Sequence, residues 1–180
     1  MILVEGLSDS LAVQAMAERA GRDLAAEGIA MLSMEGGGGF DAHVKALGPE
    51  GLQRELLGLC DLDHEAHWAR RLEAAGLGSR LDRAGMEALG FFVCDRDLED
   101  EFIKTLGVSA VESVIAAQGE SHALAVLARQ PAHRNESRAA QLHRFFGTKS
   151  GRKARYAPLL VAATAPGAEP RPLRELLARA

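Results

Sequence analysis

The sequence has no long hydrophobic run and few cysteines. None of its apolar stretches approaches the roughly 20 residues that a membrane-spanning helix needs, so no membrane partner is expected. Its two cysteines, Cys60 and Cys94, are too few for a disulfide framework, which favours a reducing, cytoplasmic location. No basic region precedes the apolar residues 2–4, so no signal peptide is predicted. The P-loop pattern is also missing, so no ATP site is visible in the chain.

The composition is that of a globular domain with an uneven distribution of charge. The chain has 180 residues, of which 47% are hydrophobic and 26% charged, which excludes a disordered or fibrous protein. Residues 1–128 carry a net charge of −12, whereas residues 129–155 carry +7. An acidic body with a basic segment suits a protein that holds cations and also meets a polyanion. Charge alone is equally compatible with an ordinary solvated surface.

Short apolar segments alternate with helical patterns over the first part of the chain. The strand candidates are 2–4, 29–32, 56–60 and 91–94, and this alternation is typical of βαβ units. Residues 1–107 are therefore predicted to form an α/β core, a mostly parallel four-stranded sheet with helices on both faces. The remaining residues, 108–180, are predicted as a helical C-terminal extension, with helices near 109–118, 121–129, 136–146, 151–164 and 171–179. The glycine run at 36–39 favours a loop.

Acidic residues follow three of the predicted strands. In chain order they are Glu5, then Asp61 and Asp63, then Asp95 and Asp97. The carboxyl ends of parallel strands lie at one edge of a sheet, where ligands bind. Asp9, four residues after Glu5, would join this edge from the first helical turn. Asp9 and Asp97 also fit the ordinary role of acids that cap a helix.

Clustered carboxylates repel one another and must take up protons or bind a cation. Oxygen ligands in a wet cleft favour Mg²⁺ or Mn²⁺. Two such ions, about 3.5–4 Å apart, can activate a water and stabilise the leaving oxygen of a phosphodiester. His64 and His67 could instead ligate zinc or iron with the aspartates, although a solvent-facing pair of histidines is the favoured interpretation.

A basic stretch, residues 147–156, follows late in the chain. It contains Lys149, Arg152, Lys153 and Arg155, and such a stretch can bind phosphates at the start of a helix. Next to a predicted acidic cleft, this pattern favours nucleic-acid binding through Lys149, Arg152 and Arg155. A solvated helix face is the alternative.

A glutamate after the first strand and an Asp-x-Asp after the third resemble the Toprim domain; here these are Glu5 and Asp61-Leu62-Asp63. More narrowly, four segments resemble the Toprim region of OLD-family (overcoming lysogenization defect) nucleases. They are Leu3-Val4-Glu5-Gly6-Leu7-Ser8-Asp9, Gly58-Leu59-Cys60-Asp61, residues 92–101 (FVCDRDLEDE) and residues 150–157 (SGRKARYA). The segments come in the expected order and span most of the chain.

This resemblance implies a Toprim-like, Rossmann-like fold and metal-dependent cleavage of DNA by a two-metal mechanism. The implied ligands of Mg²⁺ or Mn²⁺ are Glu5, Asp9, Asp61 and Asp63, joined by Asp97 and Glu99 from an acidic helix start. Lys153 matches the late lysine of the family and would stabilise the transition state, so the implied catalytic set is Glu5, Asp61 and Lys153. OLD proteins resemble an ATPase fused to a Toprim nuclease, so the implied partners are DNA and an ATPase supplied separately.

Three other functions stay open at this point. An Asp-x-Asp after a strand is also the nucleophile pattern of HAD-like phosphohydrolases, although that family has it on the first strand. A non-catalytic nucleic-acid-binding or regulatory module with the same fold would bind DNA without cutting it. A Toprim protein acting on RNA would differ in its substrate alone.

Overall fold

The computed structural model describes residues 1–34 and 39–180. Within these residues the strands are β1 (Ile2–Val4), β2 (Met31–Ser33), β3 (Leu57–Cys60) and β4 (Phe91–Val93). The helices are α1 (Leu7–Arg19), α2 (Gly39–Leu47), α3 (Leu62–Ala74), α4 (Arg83–Ala88), α5 (Leu98–Leu106), α6 (Val108–Ala117), α7 (Ser121–Arg129), α8 (Arg138–Gly147), α9 (Arg152–Ala163) and α10 (Arg171–Arg179). The predicted glycine loop falls on residues 36–38, which lie outside the described residues, and Gly39 begins α2.

The four strands form one parallel sheet in the order β2-β1-β3-β4. The chain leaves β1 toward β2 on one side and then returns to place β3 on the other side of β1. The sheet therefore has its topological switch point between β1 and β3, where open α/β sheets bind ligands. Glu5 follows β1 and Asp61 follows β3, so both residues stand at this point.

Both faces of the sheet are covered, because alternate strand residues point to opposite sides. Ile2, Val4 and Phe92 pack in one hydrophobic cluster with α1 and the helices that follow β4. Leu3 and Phe91 pack in a second cluster with α2, α3 and α4. Strands β1, β3 and β4 are buried on both faces, which accounts for their continuous apolar sequences, whereas the edge strand β2 is only partly buried. The predicted α/β class and parallel sheet are confirmed.

The helices after β4 are part of the same packing as the sheet. Helix α9 packs along α1, and α10 contacts β3 and β4. One hydrophobic cluster contains residues from both sides of position 107, so this predicted boundary does not separate two cores. No helix in the described ranges is long and apolar enough to cross a membrane.

Gly58 lies where two aromatic rings approach the middle of the sheet. A Cβ at this position would be 2.6 Å from ring atoms of both Phe91 and Trp68. We therefore expect Gly58→Ala to lower the free energy of unfolding by about 1–3 kcal/mol, the usual cost of overpacking a core. Thermal unfolding followed by circular dichroism measures this change.

The matched control is Gly147→Ala at the exposed end of α8, where an added Cβ meets no atom within 4 Å. It should leave the melting temperature unchanged or raise it slightly. Equal melting temperatures for the two variants would contradict the close packing around Gly58.

Candidate metal centre

Glu5 joins the carboxyl ends of the two central strands. Its Oε1 accepts a hydrogen bond of 2.9 Å from the backbone amide of Asp61 and lies 2.7 Å from Nδ1 of His64. The carboxylate is 19% exposed. The backbone directly after β3 thus fixes the position of Glu5 and brings it beside Asp61, as the predicted sheet edge requires.

The carboxyls of Asp9 and Asp61 are largely removed from water and lie close to other carboxyls. Burial and the nearby charge of Glu99, together with that of Glu5, raise the pKa of Asp9 to about 7, although its Oδ2 accepts a hydrogen bond from the Gly6 amide at 3.0 Å. Burial, followed by repulsion from Glu5 and Asp9, raises the pKa of Asp61 to about 8. Near neutral pH both carboxyls therefore hold protons for part of the time.

Asp97 and Glu99 bring two more carboxyls from the start of α5. Burial tends to raise the pKa of Asp97, but hydrogen bonds from His143 and the Asp100 amide and the charge of Lys153 outweigh it and lower the pKa to about 2. Glu99 is buried, which raises its pKa despite a bond of 2.6 Å from Nζ of Lys153. Asp97 is therefore charged at neutral pH.

Lys153, at the start of α9, places a positively charged ammonium beside these carboxyls. Its Nζ lies 2.6 Å from Oε2 of Glu99 and 3.4 Å from Oδ2 of Asp97. Burial tends to lower its pKa, but attraction to Glu99 and Asp97 outweighs burial and raises the pKa above its usual range. We call the five carboxyls around it the acidic cluster. Its members are Glu5, Asp9, Asp61, Asp97 and Glu99.

Asp9 and Asp97 fulfil both roles predicted for them, that of a helix-capping acid and that of a member of the acidic edge. Asp97 is the N-cap of α5 and accepts a hydrogen bond of 2.9 Å from the Asp100 amide, and Asp9 bonds the Gly6 amide at the start of α1. Both residues cap helices and also belong to the acidic cluster. Each cap bond fixes the carboxyl close to its backbone, which positions it for the cluster.

Asp63 differs from the other predicted ligands. It lies in the first turn of α3 and is exposed, and in the described ranges no hydrogen bond or ion pair joins it to the acidic cluster. The described residues also contain no group of three His, Cys, Asp or Glu side chains already arranged to hold an ion. The all-oxygen donor set and the mutual repulsion of its carboxyls nevertheless fit a hard divalent cation.

Two histidines contact the cluster: His64, considered from the sequence as a ligand beside the aspartates, and His143, which the sequence did not single out. Nε2 of His143, on α8, lies 2.6 Å from Oδ2 of Asp97, and His64 contacts Glu5. His143 is 46 residues from Asp97 in sequence and no local spacing links the two. His67 lies away from these carboxyls, 3.3 Å from Asp41, so the two histidines of α3 do not share a ligand site.

The predicted DNA-binding residues have three different environments. Lys149 is exposed between α8 and α9, and Arg155 is half-exposed and paired with Glu120 at 2.7 Å. Arg152 was predicted to contact DNA, but it is only 8% exposed. Its guanidinium donates to the Phe145 carbonyl at 2.8 Å and lies 3.9 Å from the centre of that ring. Arg152 is thus a packing residue between α8 and α9.

The raised pKa values give the metal-free protein a defined dependence on pH. The folded-state pKa values of Asp9 (about 7) and Asp61 (about 8) exceed the ordinary 3.8, so the folded protein binds more protons than the unfolded chain between about pH 4 and 8. In EDTA, stability should therefore fall as the pH rises from 6 to 9. Asp61→Asn should reduce this fall, by on the order of 2 kcal/mol at pH 9.

Melting temperatures at pH 6 and pH 9 measure the effect, with Asp63→Asn as the exposed control on the same turn. An unchanged dependence on pH in Asp61→Asn would show that Asp61 is not crowded by its neighbours.

The chain is similar to known proteins in sequence and in fold. Residues 1–63, which include Glu5, Asp9 and Asp61, match the family model of the Overcoming lysogenization defect protein-like TOPRIM domain. The chain is similar to the C-terminal region of the Burkholderia pseudomallei OLD protein, with 25% identity, a TM-score of 0.75, and 98% of this chain and 94% of that one covered. No curated protein matched.

A second similar structure is the C-terminal region of the Xanthomonas campestris pv. campestris OLD protein. Its identity is 27% and its TM-score 0.72, and the comparison covers 98% of this chain and 91% of that one. The family model ends at residue 63, whereas the two structural comparisons cover 98% of the chain. They therefore extend over the region that contains Asp97, Glu99 and Lys153. The resemblance seen in the sequence is confirmed: residues 1–63 match the OLD-like Toprim family model, and the chain has the fold of the C-terminal regions of OLD proteins.

Proposed function

We propose that this protein is a nuclease that hydrolyses phosphodiester bonds of DNA and depends on Mg²⁺ or Mn²⁺. One observation carries the proposal. Carboxyls from the ends of β1 and β3 and from the starts of α1 and α5 crowd together beside the half-buried Lys153, and the pKa values of Asp9 and Asp61 are raised. Such a group is costly without a cation and is suited to hold one.

The residues proposed to hold the ions are Glu5, Asp9 and Asp61 at the switch point, with Asp97 and Glu99 on the opposite side. Asp63 stays a prediction from the family resemblance. When bound, two divalent ions supply an activated water and stabilise the leaving oxygen of the phosphodiester. The protein contributes fixed ligands, since the Asp61 amide holds Glu5 and the helix-cap bonds hold Asp9 and Asp97.

Lys153 would stabilise the extra negative charge of the transition state. Its ammonium is held by Glu99 and Asp97 and remains protonated throughout the physiological range, because attraction to both carboxylates raises its pKa. A preorganised cation at this position needs no rearrangement as charge develops. His143 positions Asp97 through the contact with Oδ2, which keeps that carboxylate ionised.

The proposed substrate is DNA, because the basic segment at 129–155 adjoins the acidic cluster through Lys153. Lys149 and Arg155 are the predicted contacts that remain exposed or half-exposed. The similar solved structures are C-terminal regions of OLD proteins. We accordingly propose that this domain works with an ATPase region supplied by the same or another protein.

The competing functions make different use of Asp61. In a HAD-like phosphohydrolase Asp61 would be a nucleophile, yet its place on the third strand and the family match at residues 1–63 favour the Toprim interpretation. A non-catalytic module would bind DNA without any need for the acidic cluster. A nuclease acting on RNA would show its preference in a direct comparison of DNA and RNA substrates.

Nicking of a supercoiled plasmid tests the proposal. We expect nicked product with Mg²⁺ or Mn²⁺ and none with EDTA. Glu5→Gln and Lys153→Gln should each lower the rate by at least about 100-fold, because one removes a metal ligand and the other a transition-state cation.

Two exposed residues outside the acidic cluster supply the matched controls. Glu50→Gln and Lys45→Gln carry the same changes of side chain and should cut like the wild type. Nicking that persists in EDTA, or in Glu5→Gln, would contradict the mechanism. An aspartyl-phosphate at Asp61 would indicate a phosphohydrolase instead.

Metal binding can be tested without any cleavage. A cation that binds only the folded protein raises its stability by mass action, by about 2.7 kcal/mol at 100 times its dissociation constant. We expect Mg²⁺ or Mn²⁺ to raise the melting temperature of the wild type at pH 8 and to have a much smaller effect on Asp61→Asn. An equal rise in both proteins would place the ion elsewhere.

A further inference from the structure

A second feature adjoins the acidic cluster. It is a cavity of about 290 Å³ between the β4–α5 loop, the segment after α7, and helices α8 and α9. We call it the basic cavity. The residues of its wall that carry the argument are Arg96, His133, Glu136, His143, Arg144 and Lys153.

The basic cavity has more cationic than anionic side chains. Arg96 and Arg144 are both exposed, and no ion pair to either guanidinium occurs in residues 1–34 and 39–180. The one carboxylate, Glu136, lies 3.0 Å from Nδ1 of His133. Elsewhere in the described part of the chain, some exposed arginines such as Arg71 and Arg171 have carboxylate partners, whereas others such as Arg70 do not. The two arginines therefore offer donors that the protein itself does not use.

The basic cavity and the acidic cluster share a wall. Lys153 lines the cavity and bonds Glu99, while His143 lines it and contacts Asp97. The backbone of Arg96 also contacts the segment that carries Asp61. Its carbonyl accepts a hydrogen bond of 3.0 Å from the amide of Leu62, the residue after Asp61. An anion in the cavity would thus be a direct neighbour of a phosphate held at the cluster.

Size and chemistry indicate which anion fits. The volume lies just below the roughly 300–1,000 Å³ of pockets that enclose a small molecule, so it suits a single group of a larger substrate. Arginine presents a planar fork of donors that matches a phosphate, and such bonds are the strong, charge-assisted ones. A DNA strand presents phosphates at a regular short spacing, so a strand with one phosphate at the cluster carries the next one nearby.

We propose that the basic cavity binds the backbone phosphate next to the scissile phosphate of the same DNA strand, with Arg96 and Arg144 as its ligands. This inference rests on the proposed nuclease function and adds a substrate subsite to it. The subsite lies on one side of the acidic cluster, so it defines the path along which the DNA strand leaves the cluster.

The test combines an arginine variant with DNA that lacks one charge at a time. Wild type, Arg96→Ala/Arg144→Ala and the control Arg70→Ala, an exposed arginine of α3, are compared for binding of a labelled duplex in Ca²⁺. The double variant should bind about tenfold more weakly, with a salt slope reduced by about 1. Arg70→Ala should bind like the wild type, and melting temperatures check that all three proteins are folded.

A set of duplexes with a single neutral methylphosphonate then locates the contact. In the wild type, one substitution next to the cleaved bond should weaken binding about tenfold, and the same substitution should have no effect in the double variant. Loss of affinity without such a coupled position would overturn the inference, since it would mean a general effect of charge. Wild-type affinity in the double variant would overturn it as well.

The two proposals fail in different ways. If the wild type nicks plasmid and the double variant binds normally, the basic cavity is not a subsite and the nuclease function stands. If a coupled position is found but no metal supports cleavage, the basic cavity binds a backbone phosphate, but the nuclease function, and with it the position next to a scissile phosphate, is wrong. If the wild type binds no DNA, both proposals are overturned.

Discussion

Mutual repulsion of carboxyls at one edge of the sheet is the constraint on which the site depends. Glu5 and Asp61 are brought together by a hydrogen bond from the Asp61 amide, directly after β3, and Asp9 adds a third acid beside them. Water screens these charges poorly, so the pKa values of Asp9 and Asp61 rise. The cluster is stable only with protons, with Lys153, or with a bound cation. The proposed cation site depends on this arrangement.

The C-terminal helices complete this edge and are more than an appendage to the sheet. Packing of α9 along α1 carries Lys153 to Glu99, and packing of α8 beside α5 carries His143 to Asp97. Arg152, one residue before Lys153, is buried against Phe145 and anchors the start of α9. Core packing therefore positions the backbone of Lys153, and the contacts with Glu99 and Asp97 fix its ammonium.

Local sequence could predict the sheet and its acidic edge because the strands are short apolar runs that end directly in acids. Glu5 and Asp61 follow from this rule alone, since all parallel strands end at the same edge. The same rule placed Asp63 with them, yet Asp63 is exposed on α3. Two residues along a helix turn the side chain by about 200°, and the alternation of Asp-x-Asp holds for a strand only.

The sequence by itself determined the α/β class, the parallel strands and the family resemblance, because these depend on apolar periodicity and on short motifs that are continuous in the chain. Only the tertiary structure decided which basic residues are available. Arg152 and Arg144 look alike as sequence, but one is buried on an aromatic ring and the other lines an open cavity. Contacts such as His143 with Asp97 join segments far apart in the chain, and helix packing, which no local pattern encodes, sets their distance.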